Sequence, residues 1–153
     1  MVENNSIQNP LRIYKVIIPK KIYSKIFRIV KKRFPIEACG VLLGFINGHT
    51  ARIEYIEELH NILRSTGAFW FDEKDWIKKI LEGKRKGYQY LGLFHSHPRE
   101  EALPSLSDRH RMLECPGEIW LIIAYKPGID PSFTAWRVDN WESSITRLRV
   151  LVK

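Results

Sequence analysis

The feature that most constrains this chain is Leu91-Gly92-Leu93-Phe94-His95-Ser96-His97-Pro98. An apolar run of strand length ends on two histidines and a proline. Such a run belongs to a buried strand, and a fold built on it must bring the strand's end to a place where two imidazoles are useful. On extended backbone, residues two apart point to the same side, so His95 and His97 can converge on one point. Pro98 favours extended geometry at His97 and stiffens the chain beyond it.

The flanking sequence supplies the elements such a strand needs. Arg12 to Ile18 is expected to be a short strand closed by Pro19. Over Lys20 to Phe34, Ile22, Ile26, Ile29 and Val30 fall on one helical face, and Pro35 stops the helix. Ala38 to Phe45 and Ala51 to Glu58 read as strands joined through Asn47-Gly48. Asn61 to Phe71 reads as a loop with a short strand around Ala68 to Phe71. Asp72 is a suitable N-cap for a helix over Glu73 to Glu82 that puts Trp76, Ile77, Ile80 and Leu81 inward. After the Tyr90 to Phe94 strand, Ser105 opens a helix to about Leu113. Glu118 to Tyr125 and Ser132 to Val138 read as strands around Lys126-Pro127-Gly128. Asp139 to Lys153 reads as a terminal helix with Trp141, Ile145, Leu148 and Val152 on one face. The expected class is mixed α/β, with about six strands and three or four helices in a single domain spanning 1–153.

Composition narrows the function. A 44% hydrophobic and 27% charged chain is ordinary for a soluble globular domain, and 12% aromatics argue against disorder. No apolar run approaches the ~18 residues a membrane span needs. MVENNSIQNP is polar and lacks the apolar stretch of a signal peptide, so the expected location is cytoplasmic. The net charge of +8 falls entirely within the first 90 residues, largely at Lys31-Lys32-Arg33 and from Lys78 to Lys86. A basic face suits an acidic partner, but no nucleic-acid-binding motif accompanies it. Cys39 and Cys115 form no CxxC pair, which excludes a four-thiolate zinc site; two free buried thiols are expected, with a disulfide between them the alternative.

Two imidazoles need a third ligand to hold a catalytic metal. Asp108, in the first turn of the next helix, can provide it after the intervening loop folds back. Two neutral imidazoles and a carboxylate, with one position left for water, suit catalytic zinc. The competing reading is structural, because Ser105-x-x-Asp108 also fits a capping box. That explains Ser105 and Asp108 and leaves the histidines unexplained. HExxH and HxHxDH patterns are absent, and amidohydrolase HxH sites sit in barrels of about 250 residues. A facial-triad iron site would use the same ligand types. Glu37, in Pro35-Ile36-Glu37-Ala38-Cys39-Gly40, is the candidate proton acceptor, a carboxylate between a basic helix and an apolar strand where charge is costly.

Together these pieces resemble the JAMM (MPN+) metalloprotease signature: Glu37, then His95-Ser96-His97-Pro98, then seven residues from Pro98 to Pro104, then Ser105-Leu106-Ser107-Asp108. The resemblance runs from about Tyr14 to Val138 and fills every position of the pattern. It implies a curved, partly barrel-like mixed β-sheet packed between helices. It implies one Zn2+ per chain on His95, His97 and Asp108, with Glu37 as general base and acid and Ser105 hydrogen-bonding the oxyanion. It further implies hydrolysis of the isopeptide or peptide bond after the C-terminal Gly-Gly of a ubiquitin-like protein. Within the same resemblance lie processing of a small sulfur-carrier protein or its amino-acid adduct, and a non-catalytic scaffold. The intact metal-ligand set disfavours the scaffold. The chain resembles the bare catalytic core of a small stand-alone prokaryotic enzyme.

Overall fold

The computed structural model describes residues 12–139 and 144–153. Its strands and helices, in chain order, are β1 (Lys15–Ile18), α1 (Lys20–Arg33), β2 (Cys39–Asn47), β3 (Thr50–Leu59), α2 (Glu73–Arg85), β4 (Gln89–His97), α3 (Leu106–Glu114), β5 (Ile119–Ala124), β6 (Ser132–Val138) and β7 (Ile145–Val152). The strands close into a mixed barrel in the order β1-β3-β2-β4-β5-β6-β7. The barrel-like sheet implied by the resemblance is therefore present, and it is closed. Among the described residues no helix is long and apolar enough to cross a membrane.

Alternation along the strands divides the core. Leu42, Ile53, Ile56, Phe94, Leu121 and Ile123 pack together with Ile26 and Val30 of α1. Val41, Leu43, Leu93, Trp120 and Ile122 pack with Phe69, Phe71 and Met112, supported by Trp76 and Ile80 of α2. The sheet thus lies between α1 on one side and α2, α3 and the 60–72 segment on the other. Burial of these side chains supplies most of the driving force, at about 25 cal/mol per Å² of apolar surface.

One irregularity aims the histidines. The β2–β4 register shifts at Leu42/Leu43, where Gly92 pairs with Leu42 and Tyr90 with Leu43, leaving Leu91 as the extra residue. Leu91 accordingly joins the α1 side of the core, and Leu93 the other. From Leu93 onward the odd positions, including His95 and His97, face α3. Gly92 has a φ of +155°, and a Cβ there would meet the Ile119 carbonyl oxygen at 1.9 Å. We predict that Gly92→Ala forces β4 from β5. It would lower stability by about 2–4 kcal/mol and abolish high-affinity metal retention, measured by thermal unfolding and metal content.

Four sequence expectations require correction, the first being that of α2's apolar residues only Trp76 and Ile80 pack inward, while Ile77 and Leu81 are exposed. The C-terminal segment is a strand, β7, where a helix was expected; Asn140 to Ser143, with Trp141, lie outside the described residues. ITRLRVLV satisfies both periods, but the free edges of β1 and β6 decide between them. β7 pairs antiparallel with β6 and parallel with β1, closing the barrel. Ala68 to Phe71 is not a strand: its backbone is irregular, and its apolar residues serve packing against β4 and β5. The described residues hold seven strands and three helices. Both cysteines are free, with Cys39 buried, but Cys115 is only half-buried at the end of α3.

Candidate active site

The antiparallel pairing of β2 with β4 brings Glu37 to the histidines. Cys39 pairs with His95. One step further out, Ser96 N–H donates to the Ala38 carbonyl at 2.9 Å, and Ala38 N–H donates to Ser96 Oγ at 2.8 Å. Glu37 therefore comes level with His97, on the same face as Cys39 and His95. Its carboxylate is 2% exposed. Ligand atoms of Glu37, His95 and His97 all lie within 4.8 Å of one another, a grouping that fits a metal ion.

Asp108 closes on the same point from α3. His95 Nε2 and His97 Nε2 are 3.1 Å apart, and each faces Asp108 Oδ2, at 3.2 and 3.1 Å. A tetrahedral ion with bonds of about 2.0–2.1 Å has ligand–ligand edges of about 3.3 Å. The observed triangle is close to that. All three side chains are buried. Burial pushes the His95 imidazolium pKa down, outweighing its attraction to Asp108. The ring is thus held in the neutral form that binds cations. For Asp108, burial pushes the pKa up, but hydrogen bonding with His95 and His97 and the Ser105 N–H outweigh it and hold the carboxyl well below its ordinary range.

Asp108 Oδ2 also completes the capping box. Ser105 N–H donates to it at 2.9 Å, while Ser105 Oγ accepts from Asp108 N–H at 3.0 Å. The structural and metal-ligand readings of Ser105-x-x-Asp108 are thus compatible: one oxygen caps α3 and faces both histidines. The cap uses a lone pair of Ser105 Oγ and leaves its hydroxyl hydrogen free to donate.

Sequence reasoning missed what positions these groups. Neither histidine Nδ1 has a hydrogen-bond partner among the described residues. The ring of His95 is instead fixed by packing: Phe69 stacks on it at 4.4 Å and Trp120 meets it edge-on at 5.7 Å. The buried Asn61 donates to the carbonyls of Glu37 and Ala68 at 2.9 and 3.0 Å, and accepts from the N–H groups of Leu63 and Trp70 at 3.1 and 3.3 Å. Glu37 N–H in turn donates to the Ser65 carbonyl at 3.0 Å. Asn61 thus staples the irregular 61–70 segment to the backbone of Glu37. On the far side, Thr134 Oγ1 donates to the Ala102 carbonyl and accepts from Trp136 Nε1, which fixes the loop between His97 and Ser105. Ser96 carried a readable signal: between two histidines facing one way, it must face the other and find a partner in the core. Nothing local distinguishes Asn61 from any loop asparagine.

Burial pushes the Glu37 carboxyl up to about 8, aided by the charge of Asp108 and opposed by Arg99. The Arg99 guanidinium lies 3.9 Å from Glu37 Oε2 and is largely exposed. In the metal-free protein the site therefore holds two carboxylates of opposite tendency, one pinned ionised and one drawn toward its protonated form by burial; a cation bound beside Glu37 would favour its ionised, proton-accepting form.

Comparison with known proteins finds relatives that cover most of the chain. The chain is similar to a desampylase of Pyrococcus furiosus, 28% identical over 138 residues that cover 90% of this chain and 91% of the relative. A desampylase of Haloferax volcanii is 29% identical over 89 residues, 58% of this chain and 62% of the relative. Among solved structures, a protein of Desulfitobacterium hafniense superposes with a TM-score of 0.79 at 25% identity, covering 90% of this chain and 92% of that one. A Salinibacter ruber protein shares the fold, with a TM-score of 0.67 at 23% identity over 89% of this chain and 90% of that one. The model of the prokaryotic homologs of the JAB domain matches residues 19–139, most of the chain, a span within which the candidate site lies. The chain belongs to that family.

Proposed function

We propose that this protein is a zinc-dependent isopeptidase that hydrolyses the bond after the C-terminal Gly-Gly of a ubiquitin-like protein. The observation that carries the reading is the buried triangle of His95 Nε2, His97 Nε2 and Asp108 Oδ2, with edges of 3.1–3.2 Å, beside the buried carboxyl of Glu37. The desampylase names of the two relatives support the substrate class.

His95, His97 and Asp108 would hold one zinc ion per chain. When bound, zinc supplies a Lewis acid that makes water nucleophilic near neutral pH and polarises a carbonyl. Glu37 takes the proton that the attacking water loses and delivers it to the leaving amine. The amide C–N bond breaks, the water oxygen ends on the carbonyl carbon, and a lysine amine departs. Ser105 Oγ–H donates to the carbonyl oxygen as negative charge builds there. The buried walls formed by Phe69 and Trp120 keep the local dielectric low, which strengthens each of these interactions. Specificity comes from presentation: an extended Gly-Gly tail can pass close to the site because it has no side chains to obstruct it.

The test is incubation of zinc-loaded protein with ubiquitin-like conjugates, followed by gel and mass analysis. Cleavage after Gly-Gly, blocked by Ala at the penultimate glycine, is expected. Absence of such cleavage, with efficient hydrolysis of a carrier-protein amino-acid adduct, would move the assignment to carrier-protein processing.

A further inference from the structure

A cleft of about 390 Å³ opens directly beside Glu37, between the C-terminal end of α1, the end of β3 and the 60–64 segment. Glu37 is on its wall; His95, His97, Ser105 and Asp108 are not. In an isopeptidase, the reading on which the role of this cleft rests, that asymmetry has a chemical meaning. The acyl half of the scissile bond carries the oxygen that Ser105 must reach. The leaving half carries the nitrogen that must come within hydrogen-bond distance of Glu37. A cleft that Glu37 lines and Ser105 does not is suited to the leaving half of the bond.

The charges in this cleft are not balanced. Lys32, Arg33 and Arg64 line it with His60, against Glu58 and Glu37. Arg33 is committed to Glu58, with Nε to Oε2 at 2.6 Å and Nη2 to Oε1 at 3.3 Å. Glu37 is committed to the proton transfer. Lys32 and Arg64 remain, both exposed and without an ion pair among the described residues.

Arg64 is also held in an unusual backbone state. It is the one non-glycine residue with positive φ among the described residues, at +47°. An arginine pays for that conformation where a glycine would not. The state is locked from both sides: Arg64 N–H donates to the Asn61 carbonyl at 3.1 Å, and the next residue, Ser65, accepts from Glu37 N–H. The same staple that fixes Glu37 therefore places a guanidinium at the rim of the cleft.

We infer that this cleft receives the polypeptide around the target lysine and that Lys32 and Arg64 select targets with acidic residues flanking that lysine. The test uses the full-length chain and two fluorescent seven-residue peptides with a central lysine, one flanked by aspartates and glutamates, the other by serines. Binding by anisotropy at low salt needs no turnover. The acidic peptide should bind about tenfold more tightly than the serine peptide, as two exposed ion pairs allow. The preference should vanish in a Lys32→Gln, Arg64→Gly double variant. Glycine suits the positive φ, so the loop keeps its shape while the charge is lost. The same peptides, joined through their lysines to the C-terminus of a ubiquitin-like protein, should show the same ratio in kcat/KM, collapsing to about one in the variant. Equal binding of the two peptides, or a preference the double variant retains, would overturn the inference. No cleavage of either conjugate would overturn the isopeptidase reading, and the binding ratio would then judge the cleft by itself.

Discussion

Glu37→Gln is expected to lose activity and gain stability. The amide has nearly the shape of the carboxylic acid but cannot accept the water's proton. Turnover should fall by about 10²–10⁴-fold, while zinc content stays at the wild-type level because His95, His97 and Asp108 are untouched. The stability gain follows from the raised pKa. In the metal-free protein the Glu37 carboxyl titrates at about 8, chiefly through burial and then the charge of Asp108. In the unfolded chain it titrates near the ordinary value of about 4.3. A group whose folded pKa is raised contributes stability that is complete below the unfolded pKa and is lost as pH rises through the folded one. The wild-type protein should therefore weaken relative to Glu37→Gln from about pH 4 to pH 8, by up to about 5 kcal/mol at the end of that window. Thermal melts of both proteins in chelator, from pH 5 to pH 9, measure it. Parallel melting curves across that range would contradict the buried, proton-holding carboxyl, and near-normal turnover would assign the proton to another group.

Asp108 is expected to separate its two roles under substitution. Asp108→Asn keeps an oxygen able to accept from Ser105 N–H, so the cap of α3 largely survives. Asp108→Ala removes the side-chain half of the capping box, leaving Ser105 N–H without that partner while Ser105 Oγ still accepts from the residue-108 N–H, and should cost about 0.5–1 kcal/mol of stability on that account. Both should lose zinc retention strongly, because the carboxylate is one of three donors converging on the site and the amide carries no charge to offset the cation. Zinc content by mass spectrometry and melting temperature, measured together, give the pattern: stability lost mainly in the alanine variant, metal lost in both. Full zinc loading of either variant would reduce Asp108 to a helix cap.

The candidate site was legible because its chemistry is spaced along the backbone in periods that the fold preserves. His95 and His97 share a face because a strand alternates, and Asp108 stands three residues beyond a serine N-cap because a helix begins there. Glu37 was legible as a carboxylate at the mouth of an apolar strand. Its level relative to His97 was not, since that depends on how β2 and β4 register. The C-terminal strand escaped detection for a related reason. Ile145, Leu148 and Val152 fit a helical stripe, while Arg147 and Arg149 alternating with Leu148 and Val150 fit a strand. Only the unpaired edges of β1 and β6 discriminate between them, and these lie far away in sequence. Phe69 and Asn61 belong to the same class. An aromatic in an irregular segment gains its purpose from the ring it stacks on, here His95, and an asparagine from the carbonyl it reaches, here that of Glu37. The orientation of His95 by aromatic packing could not be anticipated from a signature that records ligands alone.

The most direct test of the account is X-ray absorption at the zinc edge of the loaded, full-length protein, together with its zinc content. One zinc per chain is expected in a shell of only nitrogen and oxygen at about 2.0–2.1 Å, with the outer-shell scattering of two imidazoles. His95→Ala or His97→Ala should abolish that signal. A sulfur neighbour at about 2.3 Å, which would implicate Cys39 or Cys115, or a protein that retains no zinc, would contradict this ligand set.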